Sequence, residues 1–394
     1  MPTITSLDLF CRVVDNFGDI GVCWRLARQL TSEFGIEVRL FVDDLASFQR
    51  LCAGIDIDAA QQTVQGVKVR HWGAGLDDAG GNADLPVESV ADVVIEAFGC
   101  ALPASVIAAM ARLPRQPVWI NLEYLSAEPW VETCHEQPSL YPSLPLTKYF
   151  FFPGFTPRTG GLLRERTLLR QRQDFQNDPL AAVNFLGSLG LDAQLLAAHR
   201  TRRTRIMSLF CYPDAPLASL FAMLAASSHA TLCLVPEGVA GAAVSAFLGK
   251  PAVPGALASR GKLTLCVVPF LDQPGYDRLL WSCDFNVVRG EDSLVRAIWA
   301  GRPLLWDIYP QEGQAHLVKL DALLDIYTAG LPLPLALATA QAWRDWSRRA
   351  SMSGHESLLA ADRLLQERAA TWAPSLAADG DLASKLMRFL QNIG

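Results

Sequence analysis

At 394 residues the chain is longer than one hydrophobic core usually supports, so two domains are expected. With 51% hydrophobic and 19% charged residues it has the composition of an ordinary globular protein, and its net charge of −6 leaves no electrostatic footprint for nucleic acid. No run reaches the roughly 18 apolar residues that span a bilayer, and the first residues lack a basic, then apolar leader pattern; the expectation is a soluble, cytoplasmic protein with no membrane or nucleic-acid partner.

The first strand is expected over Leu7–Val14. It runs into Asp15-Asn16-Phe17-Gly18-Asp19-Ile20-Gly21, with an apolar-periodic helix from Val22 to Phe34 that Gly35 stops. Further strands are expected at Ile36–Val42, Val67–Trp72, Ala91–Ala97, Pro117–Leu122 and Lys148–Phe152. A short helix capped by Asp43-Asp44 and a helix over Pro103–Leu113 fall between them. From Pro153 to Arg205 the pattern loosens, with eight arginines between Arg158 and Arg203 around a Phe185-Leu186-Gly187 turn. A second alternating half follows, with strands at Ile206–Cys211, Thr231–Val235, Leu263–Val268, Phe285–Val288 and Pro303–Trp306 and a helix from Ser293. Beyond His316 the chain reads as helical, broken at Trp372-Ala-Pro374, with a last amphipathic piece over Leu382–Phe389. Alternating strands and helices imply parallel sheets with right-handed crossovers. The expected fold is therefore α/β, with two facing Rossmann-like parallel-sheet domains and a cleft between them. The expected boundaries are 1–155 with helix 375–394 docking back on it, a connection over 156–203, and 204–374.

Ligands of open α/β sheets bind at the carboxyl ends of strands, where free N–H groups and helix dipoles point. Asp15 and Asp19 bracket a glycine turn at such an end, and two carboxylates four residues apart can converge on a cation or serve as acid and base. Either also suits a plain helix cap, although Asn16 and Gly18 beside them suggest a shaped loop. In the second half, Arg289-Gly290-Glu291-Asp292-Ser293 suits a diphosphate at the Asp292 and Ser293 N–H groups, with Glu291 accepting from a sugar or ribose hydroxyl. Two carboxylates beside a diphosphate repel it, so at least one must point elsewhere or pair with Arg289; acids complementing a helix dipole explain the same residues. Phe210, Tyr212, Phe270 and Gln273 also fall at strand ends, where aromatic faces and an amide suit a nucleobase as well as ordinary packing. The nine cysteines form no C-x-x-C pair and the six histidines no metal-binding spacing, so reduced thiols and no metal are expected.

Taken together, Asp15-Asn16-Phe17-Gly18-Asp19-Ile20-Gly21, Phe210-Cys211-Tyr212, Phe270-Leu-Asp-Gln273, Arg289 to Ser293 and Gln311-x-x-Gln-Ala-His316-x-x-Lys319-Leu320 resemble the bacterial protein-arginine rhamnosyltransferases of the EarP family, across nearly the whole chain. The resemblance implies a GT-B fold and inverting transfer of L-rhamnose from dTDP-β-L-rhamnose to an arginine of translation elongation factor P, without a cofactor or metal. It further implies Asp19 as general base, Asp15 as holder of the acceptor guanidinium and Glu291 as a third acid important for activity. Phe17, Gly18, Phe210, Tyr212, Phe270, Gln273, Arg289, Asp292 and Ser293 would form the donor pocket. Other classes compatible with the residues are a GT-B transferase or sugar-nucleotide epimerase acting on a small molecule or lipid carrier, and a non-catalytic binding module.

Overall fold

The computed structural model describes residues 4–15, 17–72, 90–201, 203–359 and 363–393. The chain divides into two units, Met1–Arg166 with Leu376–Gly394, and Thr167–Ser375. The stretch 156–203, expected as a connection, is shared between them. Its later part forms three helices, Leu168–Asn177, Ala181–Ser188 and Ala193–Arg200, in the second unit. Phe185-Leu186-Gly187 is helical and not a turn, because Leu186 is buried in the second unit's core with Ile206, Leu232 and Leu279.

The strands of the first unit are β1 (Ser6–Cys11), β2 (Glu37–Val42), β3 (Gln61–Val64), β4 (Val67–His71), β5 (Val93–Ala97), β6 (Val118–Leu122), β7 (Pro138–Leu140) and β8 (Thr147–Phe151). They form one sheet in the order β3-β4-β2-β1-β5-β6-β8-β7. The six inner strands pair in parallel, and their runs of Val, Ile, Leu and Phe are those of a sheet covered on both faces. The edge strands β3 and β7, not expected from the sequence, pair antiparallel with β4 and β8. Both are short and polar or exposed, which limits pairing with other chains. One face is covered by the Gly18–Phe34 helix and by the C-terminal Leu382–Ile393 helix, whose Leu382, Leu386, Met387, Phe389 and Leu390 share a core with Leu9, Leu26 and Ile95.

The second unit holds β9 (Thr204–Leu209), β10 (Ala230–Pro236), β11 (Leu257–Arg260), β12 (Leu263–Val268), β13 (Phe285–Arg289) and β14 (Leu304–Asp307), in the order β11-β12-β10-β9-β13-β14. All pairs are parallel except the edge pair β11 and β12. The helix over Arg363–Ala378 continues through Pro374, where a break was expected. Trp372 and Ala373 are buried, and packing on that face offsets the amide and the space that an interior proline denies a helix.

Each sheet has one strand from which the order runs in both directions. In the first unit β1 lies between β2 and β5, and in the second β9 lies between β10 and β13. The carboxyl ends of these strands are the two topological switch points, where open α/β sheets leave a crevice.

Candidate active site

At the first switch point β1 ends at Cys11, three residues before the expected Val14, and the helix begins at Gly18 instead of Val22. Carboxylates replace the strand ladder here. The Val13 N–H donates to Asp43 Oδ1 at 2.8 Å, and the Val14 and Asp15 N–H groups donate to Asp19 Oδ2 at 2.8 and 2.9 Å. The Gly18 N–H donates to the Asp15 carbonyl at 2.6 Å, closing the turn. A Cβ on Gly18 would lie 2.7 Å from Asp15 Oδ2, so the glycine makes room for that carboxylate. Asp15 is half-buried, whereas Asp19 is only 3% exposed. Burial raises the Asp19 carboxyl above its ordinary value, against the lowering effect of the two amides and of a hydrogen bond from Tyr124. Phe17 is half-buried at the helix start, under the Arg50 guanidinium at 5.4 Å from its ring. Asn16 lies outside the described residues.

At the second switch point Phe210 and Tyr212 follow β9, and Arg289 to Ser293 follow β13. The Phe210 N–H donates to the Val287 carbonyl at 2.9 Å, which locks the two strand ends together. Gly290 has φ of +67°, a left-handed conformation that turns the strand directly into its helix and favours glycine. The helix therefore starts at Gly290, not Ser293, and Glu291 and Asp292 lie in its first turn, whose N–H groups have no partner within the helix ladder. The Arg289 guanidinium lies 4.7 Å from the Phe210 ring centre and 4.9 Å from that of Tyr212, so these rings embrace a cation. Glu291 Oε1 takes an ion pair from Lys319 Nζ at 2.6 Å, with both groups mostly buried. Ser293 is buried and Asp292 half-buried. Phe270, half-buried, follows β12; Gln273, 3% exposed, opens the next helix, which Asp272 caps by accepting from the Gly275 N–H at 2.8 Å. The structure thus brings Phe210, Tyr212, Arg289 and the Glu291 turn together in the second unit, and Asp15, Phe17, Gly18 and Asp19 in the first.

Several supporting residues escaped the sequence reading. Asp307, at the end of β14, accepts the Tyr212 N–H at 2.8 Å and Arg349 Nη1 at 2.6 Å, and Arg349 also binds Asp214 at 2.9 Å. Asp277 and Arg296 form a bidentate pair, 2.8 and 2.6 Å, joining the Gln273–Ser282 and Gly290–Ala300 helices. The rule that strand ends carry sites would have flagged Asp307. Lys319 was visible in its motif, one helical turn beyond His316, but its partner lies 28 residues away. His316 Nδ1 accepts the Gln311 N–H at 3.1 Å and so orders the turn before it.

Residues 7–391 match the model of the family described as Elongation-Factor P (EF-P) rhamnosyltransferase EarP. The chain is 48% identical over 389 residues to a protein-arginine rhamnosyltransferase of Pseudomonas putida, covering 98% of both chains. It is 46% identical over 390 residues to a protein of the same name from Pseudomonas aeruginosa, covering 98% of this chain and 99% of the relative. A solved structure described as the structural basis for EarP-mediated arginine glycosylation of translation elongation factor EF-P matches with a TM-score of 0.67 at 35% identity, covering 98% of this chain and 99% of that one. The two Rossmann-like units are those of the GT-B glycosyltransferases. By sequence over almost its full length and by fold, the chain belongs to the EarP family of EF-P rhamnosyltransferases.

Proposed function

We propose that this protein transfers L-rhamnose from dTDP-β-L-rhamnose, with inversion and without a metal, to one arginine of elongation factor P, with Asp19 as general base and Asp15 as guanidinium holder. That it is a protein-arginine rhamnosyltransferase follows from its family. The observation that carries the residue-level reading is Asp19, a buried carboxylate fixed by two backbone amides beside a second carboxylate at a sheet switch point. A guanidinium has a pKa above about 12 and delocalised lone pairs, so it attacks poorly unless its charge is localised and a proton removed. Asp15 and Asp19 suit both tasks. A guanidinium nitrogen forms the new bond to the anomeric carbon as the bond from that carbon to the diphosphate oxygen breaks. The nitrogen's proton passes to Asp19, and the electron pair of the broken bond leaves on dTDP. Attack opposite the leaving group inverts the centre.

For the donor, the N–H groups of the Gly290–Ala300 helix suit the diphosphate, with Arg289, Asp292 and Ser293 around them. Phe210, Tyr212, Phe270 and Gln273 suit thymine and ribose. The repulsion expected between Glu291 and a diphosphate is relieved by Lys319, which leaves Glu291 suited to a donor hydroxyl. In the test, the protein is incubated with dTDP-β-L-rhamnose and unmodified elongation factor P, and the acceptor is weighed by mass spectrometry. A gain of one deoxyhexose on a single arginine, at a rate unchanged by EDTA, is expected; no gain overturns the reading. In a thermal-shift comparison dTDP should stabilise the protein more than uridine diphosphate.

A further inference from the structure

The segment after β9 carries Phe210 and Tyr212, and one arginine that the transfer described above does not use grips it at two points. Arg349 lies just past the Leu333–Ser347 helix, with φ of +60°. Its N–H donates to the Trp346 carbonyl at 3.0 Å, and the Ala350 N–H donates to the Asp345 carbonyl at 2.8 Å. In a helix ending of this kind the left-handed position usually falls to glycine, because a Cβ is disfavoured there. An arginine in that place costs backbone energy, and such conformations persist where surrounding contacts over-determine them.

Here the side chain supplies those contacts. Arg349 Nη1 donates to Asp307 Oδ1 at 2.6 Å, while Nε and Nη2 donate to Asp214 Oδ2 and Oδ1 at 3.0 and 2.9 Å. Both carboxylates lead to Tyr212. Asp307, 0% exposed, ends β14 in register with Arg289 of β13 and takes the Tyr212 N–H on Oδ2 at 2.8 Å. Asp214 stands two residues beyond Tyr212, in a turn closed by the Ala215 N–H on the Tyr212 carbonyl at 3.2 Å. The guanidinium thus holds the Tyr212 turn from both sides, through a buried carboxylate at its amide and an exposed one at its far end. The chain beyond Arg349 is docked separately, since the Met352 N–H donates to Ser219 Oγ at 3.0 Å on the Leu217–Ala226 helix.

We propose that Arg349 is a positioning residue for the donor: by fixing the Tyr212 turn it holds the Tyr212 ring where it meets both Arg289 and the nucleotide. The inference rests on the reading of Tyr212 as part of the donor pocket. The ring itself lies 4.9 Å from the Arg289 guanidinium and edge-on to Tyr309 at 5.6 Å, contacts that let a ring slide. A charged fork on a carboxylate fixes direction as well as distance.

The test measures KM for dTDP-rhamnose, KM for elongation factor P, kcat and Tm in the wild type, Arg349→Lys, Asp214→Ala, Asp214→Glu and Tyr212→Ala. A lysine keeps the charge beside buried Asp307 but cannot form the fork with Asp214. Arg349→Lys is expected to raise the KM for dTDP-rhamnose about tenfold, with kcat within about twofold and the KM for elongation factor P unchanged. Asp214→Ala, at an exposed position, should raise the donor KM about threefold and leave Tm within a few degrees of wild type. Asp214→Glu, which keeps the carboxylate, should restore donor binding. The double variant Asp214→Ala/Arg349→Lys should bind the donor no more weakly than Arg349→Lys, because both changes break one link. A donor KM at the wild-type value in Arg349→Lys and Asp214→Ala, or donor and acceptor KM values that rise together with a lowered Tm, overturns the inference. A Tyr212→Ala variant that takes the donor as tightly as wild type overturns the underlying placement of Tyr212 instead.

Discussion

Alanine at Gly18 separates folding from chemistry in the first loop. The position is helical and Ala favours a helix, so the fold is not at risk. The new Cβ, however, would sit 2.7 Å from Asp15 Oδ2 and would push that flexible carboxylate aside. Gly18→Ala is expected to keep its Tm within a few degrees while KM for elongation factor P rises about tenfold, measured by steady-state rhamnosylation. Asp19 gives a second residue-scale prediction. Its folded pKa lies above the ordinary 3.8, so between those values the native state holds a proton that the unfolded chain releases. Its contribution to stability is therefore greatest below pH 3.8 and is lost as pH rises through the raised value. Asparagine carries no charge, and its amide oxygen can take both turn N–H groups. Asp19→Asn should thus be at least as stable as wild type at pH 8, with the advantage gone at pH 4, as followed by urea denaturation. Transfer should fall by about 10²–10⁴-fold, the scale of a lost general base. Asp15 and Asp19 were legible in the sequence because a carboxylate pair in a glycine turn after an apolar run is a local pattern. Tyr124 was not, because nothing within its own stretch says that the strand end it follows lies beside that of β5, next to β1.

At the scale of elements, the proposed donor site rests on two helices joined by a buried ion pair. Arg296 and Asp277 are 2% and 7% exposed and bind through two hydrogen bonds. Removing one partner strands a charge away from water. Arg296→Ala is expected to cost about 3–5 kcal/mol in chemical denaturation, whereas the double variant Asp277→Leu/Arg296→Met should recover most of that loss. The same comparison separates support from contact, since the double variant should still bind dTDP. The helix beginning at Gly290 shows why element boundaries were harder to read than element types. The acids and serine of that turn suggested a polar loop before a helix, yet a glycine at positive φ lets the strand pass into the helix without one. Similarly, Val13 and Val14 have strand propensity, but carboxylates of Asp43 and Asp19 capture their amides and end β1 early.

Over the whole molecule, the first unit is completed by the last residues of the chain. Leu382, Leu386, Met387, Phe389 and Leu390 are buried in its core, at about 1.5–3 kcal/mol each, a sum on the order of a domain's entire stability. A chain truncated after Gly380 should therefore lose amide-exchange protection across the Gly18–Phe34 helix and β1. The Gly290–Ala300 helix, in the other unit, should keep its protection, as read by hydrogen-exchange mass spectrometry.

The sequence by itself determined that this chain has two α/β halves, where their parallel strands lie, and which polar turns follow those strands. Those features are written in local periodicity and in short runs of polar residues after apolar ones. Only the tertiary structure decided which strand ends are neighbours, and with that the partners of the site residues: Tyr124 for Asp19, Lys319 for Glu291, and Arg289 for Phe210 and Tyr212. The physical reason is that strand order and side-chain pairing are set by packing between residues tens of positions apart, which no window of sequence contains.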